Sequence, residues 1–400
     1  MHNTRSFDCF PRLYLHRWRL VVVGLTLSLT ALLACPARAQ TYTILYSFKG
    51  APDGAYPYAG VVTDRSGNLF GITETGGHYQ TGTVFKIDSS GTETVQHAFV
   101  KAEGGGSMSA LLLDREGNLY GTNPIGGGLA PVGTVFELSR GGKLAPLYRF
   151  GGGLADGNSP YGALIRDDAE DLYGATSGGG AFLSGTIFKI DHQTGAETIL
   201  YNFQGQPDGA GPNGGLVRDA QGNLYGTTIL GGVNGNPGFG TVFKLDAAGN
   251  ETVLYSFEGG SDGEQPGAGL IRDSAGNFYG TTIIGGGGSG TVFKLDPSSG
   301  ETVLHRFGSS STDGIQPHAG VVRDAAGNFY GTTYFGGAFG DGTVYKLDPG
   351  GNLTILHSFA WGTDGAGPWG GVIRDAAGNL YGTTSVGGTY NFGIVYKITP

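Results

Sequence analysis

Cysteine is almost absent from this chain: two in 400 residues, Cys9 and Cys35, both ahead of residue 40. Whatever folds beyond that point has no disulfide to hold it, and must rely on the core that a long chain can bury. An excess of positive charge is missing too. The 24 Lys and Arg against 33 Asp and Glu give a formal charge of −9, which argues against nucleic acid or an anionic membrane as partner, since both need a basic footprint. Long apolar runs are absent except for Leu20 to Ala34, whose 15 residues fall short of the ~20 that a membrane helix needs. Beyond residue 40 no stretch is long enough and free enough of Gly to form a helix.

The one apolar run belongs to a leader. Arg12, Arg17 and Arg19 precede it and Ala37-Arg38-Ala39 follows it, the charged, apolar, small-residue order of a secretory signal peptide. Residues 1–39 are therefore read as that peptide, with the exported chain starting at Gln40 and destined for secretion, the periplasm or the outer surface. Leu32-Leu33-Ala34-Cys35 loosely resembles a lipoprotein lipobox, with Leu33 where a smaller residue is usual, so lipid anchoring at Cys35 is the alternative. Removing the leader takes away five Arg and one Asp, leaving 19 basic against 32 acidic side chains and a charge of −13. Such acidity reads as solubility.

What the chain has in abundance is glycine, 79 of 400, far above the usual share of about 7%. It falls at fixed repeat positions rather than in low-complexity tracts, which points to turns and close approach of strands. The pattern Gly-Asn-Leu/Phe-Tyr/Phe-Gly recurs with its Asn at 68, 118, 223, 277, 328 and 379, and a worn copy, Asp171-Leu172-Tyr173-Gly174, fills the gap at intervals of 50 to 54 residues. Each unit carries four short runs rich in Val, Ile, Thr, Tyr and Phe, labelled A to D. In the fifth unit they are Gly269–Arg272, Asn277–Thr282, Gly290–Leu295 and Glu301–Phe307. Four strand signals at this period make a propeller blade.

The two ends of the chain are out of phase. The seventh unit stops after its C run, Gly393–Ile398, while Tyr42–Phe48 is a D run with no unit of its own. The expected fold is therefore all-β: a seven-bladed β-propeller over residues 41–400, four antiparallel strands per blade, closed by pairing of the N-terminal strand with the last blade. Closure removes an open sheet edge.

Most repeated residues read as structural. Asp53, Asp156, Asp208, Asp262, Asp313 and Asp364 each precede a Gly ahead of an A run. They suit either a turn whose carboxylate accepts backbone N–H groups or a ring of carboxylates holding calcium. No alternating Asp/Asn ligand loop accompanies them, so the turn is favoured and neither metal nor cofactor is expected. Lys at the ends of the C runs, and Arg166, Arg218, Arg272, Arg323 and Arg374 before the A–B turn, read as cross-strand charge pairs. The Phe closing each D run, from Phe48 to Phe359, reads as core between blades.

Variation is the better guide to function. The A–B turn keeps one length, while the B–C connection runs from seven residues, Ile283 to Ser289, to eleven, Ile229 to Phe239. In an antiparallel blade the B–C and D–A connections share a face, which becomes the candidate binding face. There the residue leading into the A strand varies: Tyr58, Met108, Tyr161, Asn213, Gly267, His318 and Trp369. This position should ring the mouth of the central channel, with Tyr79, Tyr334, Phe339, Trp361 and Tyr390 nearby. Tyr58, Tyr161, His318 and Trp369 are the candidate ligand-binding residues, since aromatic surface with scattered polar groups suits sugar rings or peptide chains. The same rings would equally serve to plug the channel.

The stretches Arg323–Leu347 and Arg374–Ile398, Arg-Asp-Ala-Ala-Gly-Asn-Leu/Phe-Tyr-Gly-Thr-Thr, then Gly-Gly, then Gly-Thr/Ile-Val-Tyr-Lys-Leu/Ile, resemble the GloVer tandem repeat of exported bacterial choice-of-anchor proteins. The resemblance extends over residues 41–400. It implies export and, in some members, a C-terminal sorting signal, which is not expected where this sequence stops at Pro400; it implies no catalytic residues. The expected function is a non-enzymatic, monomeric binding or interaction propeller, with an extracellular glycan or protein as partner. The alternative is a carbohydrate-active enzyme drawing on the non-repeated Glu74, Glu264 and Asp341, with His78 or His318 as base. A glycosidase needs two carboxylates about 5 to 9.5 Å apart. No Ser-His-Asp order, zinc spacing or phosphate loop stands out.

Overall fold

The C runs read Thr-Val-Phe-Lys-Leu, with little alternation of apolar and polar, as befits a strand covered on both faces. In a computed structural model that describes residues 40–126, 132–151, 155–298 and 300–399, these strands are buried at all but the Lys position. Seven four-stranded antiparallel sheets are present. In the fourth, the A to D strands are Val217–Arg218, Leu224–Thr228, Thr241–Leu245 and Glu251–Ser256. The expected leader, residues 1–39, lies outside the described residues.

The last sheet contains both ends of the chain. Thr41–Ser47 lies beside Ile394–Thr399, followed by Leu380–Thr384 and Ile373–Arg374. Thr41 faces Thr399 and Ser47 faces Ile394, with a bulge between Ile44 and Tyr46. The same bulge occurs between the C and D strands of the fourth blade, where Val242 faces Tyr255 and Phe243 faces Val253. The closing strand thus reproduces the local geometry of an ordinary D strand.

Blades are held together by the Phe that follows each D strand. Phe48, Phe99, Phe150, Phe203, Phe257, Phe307 and Phe359 are all buried. Each meets the C-strand aromatic ring of the next blade edge-on: Phe203 to Phe243 at 5.1 Å, Phe257 to Phe293 at 5.2 Å, and across the seam Phe48 to Phe85 at 4.9 Å. The ring needs room on the B strand, which is why the repeat motif ends in Gly: a Cβ on Gly280 would lie 2.7 Å from Phe293.

The arginines correct one expectation. They do form charge pairs, but mainly with the preceding blade, Arg166 with Asp114 at 3.2 Å and Arg218 with Asp167 at 3.9 Å, beside Arg166 with Glu170 of its own turn at 2.6 Å; there Arg218 also covers Tyr173 at 5.7 Å, Arg323 covers Tyr279 at 5.3 Å and Arg374 covers Tyr330 at 5.8 Å. Each A strand is only two residues long and adjacent blades converge on the axis, so a long cationic side chain finds the neighbour's aromatic face within reach. The covered tyrosines donate to the A–B aspartates, as Tyr225 does to Asp219 at 2.9 Å.

Candidate functional site

The face of the B–C and D–A connections is built by loops that stitch neighbouring blades. Gln265 N–H donates to the carbonyl of Phe239 in the preceding blade at 2.9 Å, and the Gln265 carbonyl accepts from Ile283 N–H of its own blade at 3.1 Å. Holding both bonds forces this residue into the left-handed region in six units, at Tyr56, Ser159, Gly211, Gln265, Gln316 and Gly367, and Gly106, whose blade has Pro124 in place of the second donor, shares the conformation, with φ between 55° and 67° throughout. Three are Gly, for which this conformation is free of penalty; the four others carry strain of ~1 kcal/mol or more. Two residues further on comes the variable position, so its side chain is aimed by a fixed backbone.

Those seven positions converge. Tyr58, Met108, Tyr161, Asn213, Gly267, His318 and Trp369 line one cavity of about 430 Å³ with the small residues that follow them. Small residues are required there, because a Cβ on Gly320 would lie 2.6 Å from the Gly269 carbonyl oxygen. Hydroxyls from the B strands tie the ring: Thr227 donates to the Ala268 carbonyl at 3.0 Å, Thr332 to Gly370 at 3.0 Å, and across the seam Thr383 to Ala59 at 2.8 Å.

The lining is asymmetric. The sixth, seventh and first blades supply an aromatic wall in which His318 stacks on Trp369 with ring centroids 3.8 Å apart and 16° between planes. Tyr58 and Tyr334 meet Trp369 edge-on at 5.8 and 5.2 Å. Tyr161 stands apart on the third blade, while Asn213 and Gly267 leave the fourth and fifth blades open. Tyr58, Tyr161, His318 and Trp369 are all half-buried. Burial pushes the His318 imidazole down to about 4, so the ring is neutral and only weakly basic at pH 7. Burial likewise raises the Tyr58 hydroxyl.

The B–C connections around this mouth are nearly free of charge. The seven B–C connections, residues 74–82, 124–133, 177–185, 229–240, 283–290, 334–342 and 385–393, contain two charged residues, Glu74 and Asp341. They also carry the exposed apolar surface. Of the ten exposed large apolar side chains among the described residues, eight lie on these connections and a ninth, Trp361, on a D–A loop. Sequence reasoning found Tyr79, Phe339, Trp361 and Tyr390 but missed Ile125, Phe182, Leu183, Val233 and Phe335. Their recurring place beside a Gly-Gly step was the available signal. Burial raises the Glu74 carboxyl.

The repeated D–A carboxylates act as turn acceptors. Asp208 accepts from Tyr201 O–H and Gln204 N–H, both at 2.9 Å, and Asp313 accepts from Gly314 N–H at 2.8 Å beside His305 at 3.2 Å. A rule emerges across blades. Where the D-strand ring is Tyr46, Tyr148, Tyr201 or Tyr255, the next blade opens its D strand with Glu93, Glu197, Glu251 or Glu301, each pushed up to about 7 by burial and then by the adjacent D–A Asp. Where the ring is His97, His305 or His357, the next blade offers Leu144, Leu353 or Tyr42 instead.

A closed seven-bladed propeller with a variable channel mouth is the class that this geometry defines. The pattern of the Gloeobacter/Verrucomicrobia repeat matches residues 34–239 and 233–400, and the chain belongs to that family. No curated protein matches it. Among solved structures it is similar to the extracellular domain of the putative one component system BT4673 from B. thetaiotaomicron, with 15% identity, TM-score 0.58, and 90% of this chain and 41% of that one covered. The extracellular domain of the putative hybrid two component system BT3049 from the same organism gives 14%, 0.58, 90% and 41%. PorZ, a bacterial surface component of the type-IX secretion system of Porphyromonas gingivalis, gives 16%, 0.52, 88% and 47%. The chain thus spans less than half the length of these structures, and at such identities the likeness is one of fold. No helix among the described residues is long and apolar enough to cross a membrane.

Proposed function

We propose that residues 1–39 direct export and that residues 40–400 act outside the cytoplasm as a binding propeller, taking an uncharged glycan at the channel mouth. The observation that carries this reading is the aromatic wall of His318, Trp369, Tyr58 and Tyr334 beside a cavity of about 430 Å³. Aromatic rings and an open amide position suit the apolar faces and hydroxyl edges of a sugar, and a cavity lining without Asp, Glu, Lys or Arg disfavours an ionic ligand. A protein partner is the second reading, supported by the nine exposed apolar tips on the same face, since patches of this kind mark interaction surfaces. Catalysis has less support, since His318 is a poor base.

A glycan-array screen of the exported protein tests the proposal. A wide aromatic anchor contributes ~2 kcal/mol or more, so Trp369→Ala should weaken a glycan found in this way at least about tenfold with the fold intact. Equal binding by parent and variant would move the ligand elsewhere.

A further inference from the structure

The cavity at the channel mouth is ringed by the residues that lead into the seven A strands, with one addition from deeper in the loops. Ile283, which opens the B–C connection of the fifth blade, also lines it, whereas its counterparts Glu74, Pro124, Ser177, Ile229, Tyr334 and Ser385 do not. The cause is local. In the sixth blade the mouth residue His318 packs on Tyr334 of its own blade at 5.5 Å. In the fifth, Gly267 has no side chain to cover Ile283: a Cβ there would lie 3.0 Å from Ile283 Cδ1 and 3.6 Å from Ile229 Cγ2. Ile283 is half-buried and presents aliphatic surface through this gap.

Beside the gap stands Asn213. The fourth and fifth blades touch here, since a Cβ on Gly214 would lie 2.6 Å from the Ala268 carbonyl oxygen. Asn213 carries the one carboxamide of the lining, and its Oδ1 is buried with no hydrogen-bond partner among the described residues. An acceptor left in this state is costly, and the terminal torsion of Asn is soft, so the oxygen can turn to a donor that enters the cavity. With no Asp, Glu, Lys or Arg in the lining, a neutral donor suits it best. The other long aliphatic side chain of the lining, Met108, belongs to the second blade, and Tyr161 of the third stands between it and Asn213.

Uncovered aliphatic surface next to an unpaired amide oxygen matches an acetamido group, whose methyl is apolar and whose N–H is a neutral donor. We propose that this corner selects glycans that carry an N-acetylated sugar, with the methyl on Ile283, the N–H donating to Asn213 Oδ1 and the rest of the glycan against Trp369. The inference rests on the channel-mouth reading and narrows its ligand class. A hydroxyl in place of the acetamido group leaves Ile283 uncovered and Asn213 without its amide donor, and the two contacts together are worth about tenfold in affinity.

The test uses paired glycans that differ only in acetamido against hydroxyl, among them chitotriose and cellotriose. The acetamido member of a pair should bind the parent about tenfold tighter. Asn213→Ala and Ile283→Ser, the latter carrying the residue that the third and seventh blades have at this place, should each cut that preference to about threefold and leave the hydroxyl member within about twofold of the parent. Trp369→Ala should weaken both members alike. Equal binding of the two members by the parent, with Trp369→Ala still weakening both, would overturn this inference and leave the channel-mouth reading standing. A preference that survives both Asn213→Ala and Ile283→Ser would overturn it as well, by placing the acetamido group elsewhere. If no glycan bound at all, both readings would fall together.

Discussion

Replacing Phe48 by Ala probes the seam where the first and last blades meet. Phe48 is fully buried among Val61, Leu69, Phe85, Ile87 and Val395, with Tyr46 edge-on at 5.3 Å. Removing a buried Phe side chain costs about 3–5 kcal/mol once the cavity is included. Whole domains are stable by ~5–15 kcal/mol, so the change should consume a large part of the total and lower Tm on the order of 5 °C. The matched control is Phe257→Ala, which removes the same contact at the interface of the fourth and fifth blades, 5.2 Å from Phe293. If the ring is closed as tightly at the seam as elsewhere, urea denaturation should show equal losses for the two variants. Deleting residues 41–48 should be worse than either, because it also exposes the edge of Ile394–Thr399. A Phe48→Ala protein within about 1 kcal/mol of the parent, beside a Phe257→Ala protein that loses the full amount, would mean that the closing strand peels away.

Two further outcomes follow from backbone and charge. Gln265→Gly and Gln316→Gly relieve the left-handed strain at φ 58° and should each raise stability by ~1 kcal/mol in chemical denaturation; a loss would show that the side chains, rather than the stitching bonds, hold the loop. Stability should peak near pH 5. Glu93, Glu197, Glu251 and Glu301 sit at about 7 when folded against about 4.3 unfolded, so the folded chain holds protons that the unfolded chain releases. Their contribution is complete below the unfolded value and is lost as pH rises through 7. Asp273 and Asp324 work the other way: burial opposes ionisation, yet Asn277 with Tyr279, and Asn328 with Tyr330, hold them down to about 2, and their contribution is lost as pH falls toward that value. Thermal unfolding from pH 3 to 8 checks this, and a maximum at pH 8 would contradict it.

Much of the architecture was legible because it rests on local chemistry repeated seven times. The unattached run Tyr42–Phe48 and the incomplete seventh unit required the seam, and the fixed A–B turn against the variable B–C connection marked the face on which Trp369 and His318 meet. What escaped was relational. Arg218 looked like a partner for its own sheet, because only the convergence of blades near the axis brings Tyr173 of the neighbour within reach. The left-handed Gln265 was hidden by the diversity at its position, where Tyr, Gly, Ser and Gln share one backbone conformation for the sake of two hydrogen bonds. The matching of Tyr201 with Glu251, and of His357 with Tyr42, joins residues of consecutive units, and a unit-by-unit alignment does not set them side by side.

The central claim, that ligand binds over the channel mouth against Trp369, can be read directly from tryptophan emission. The chain has three tryptophans, Trp18, Trp361 and Trp369; with the leader removed and Trp361→Phe in place, Trp369 is the sole reporter. Titrating this protein with a glycan from the array should shift or quench the emission in a saturable way, with the same midpoint as an independent measurement of affinity such as calorimetry. Binding seen by calorimetry with no change in Trp369 emission would contradict the account and leave that ring as packing in the channel.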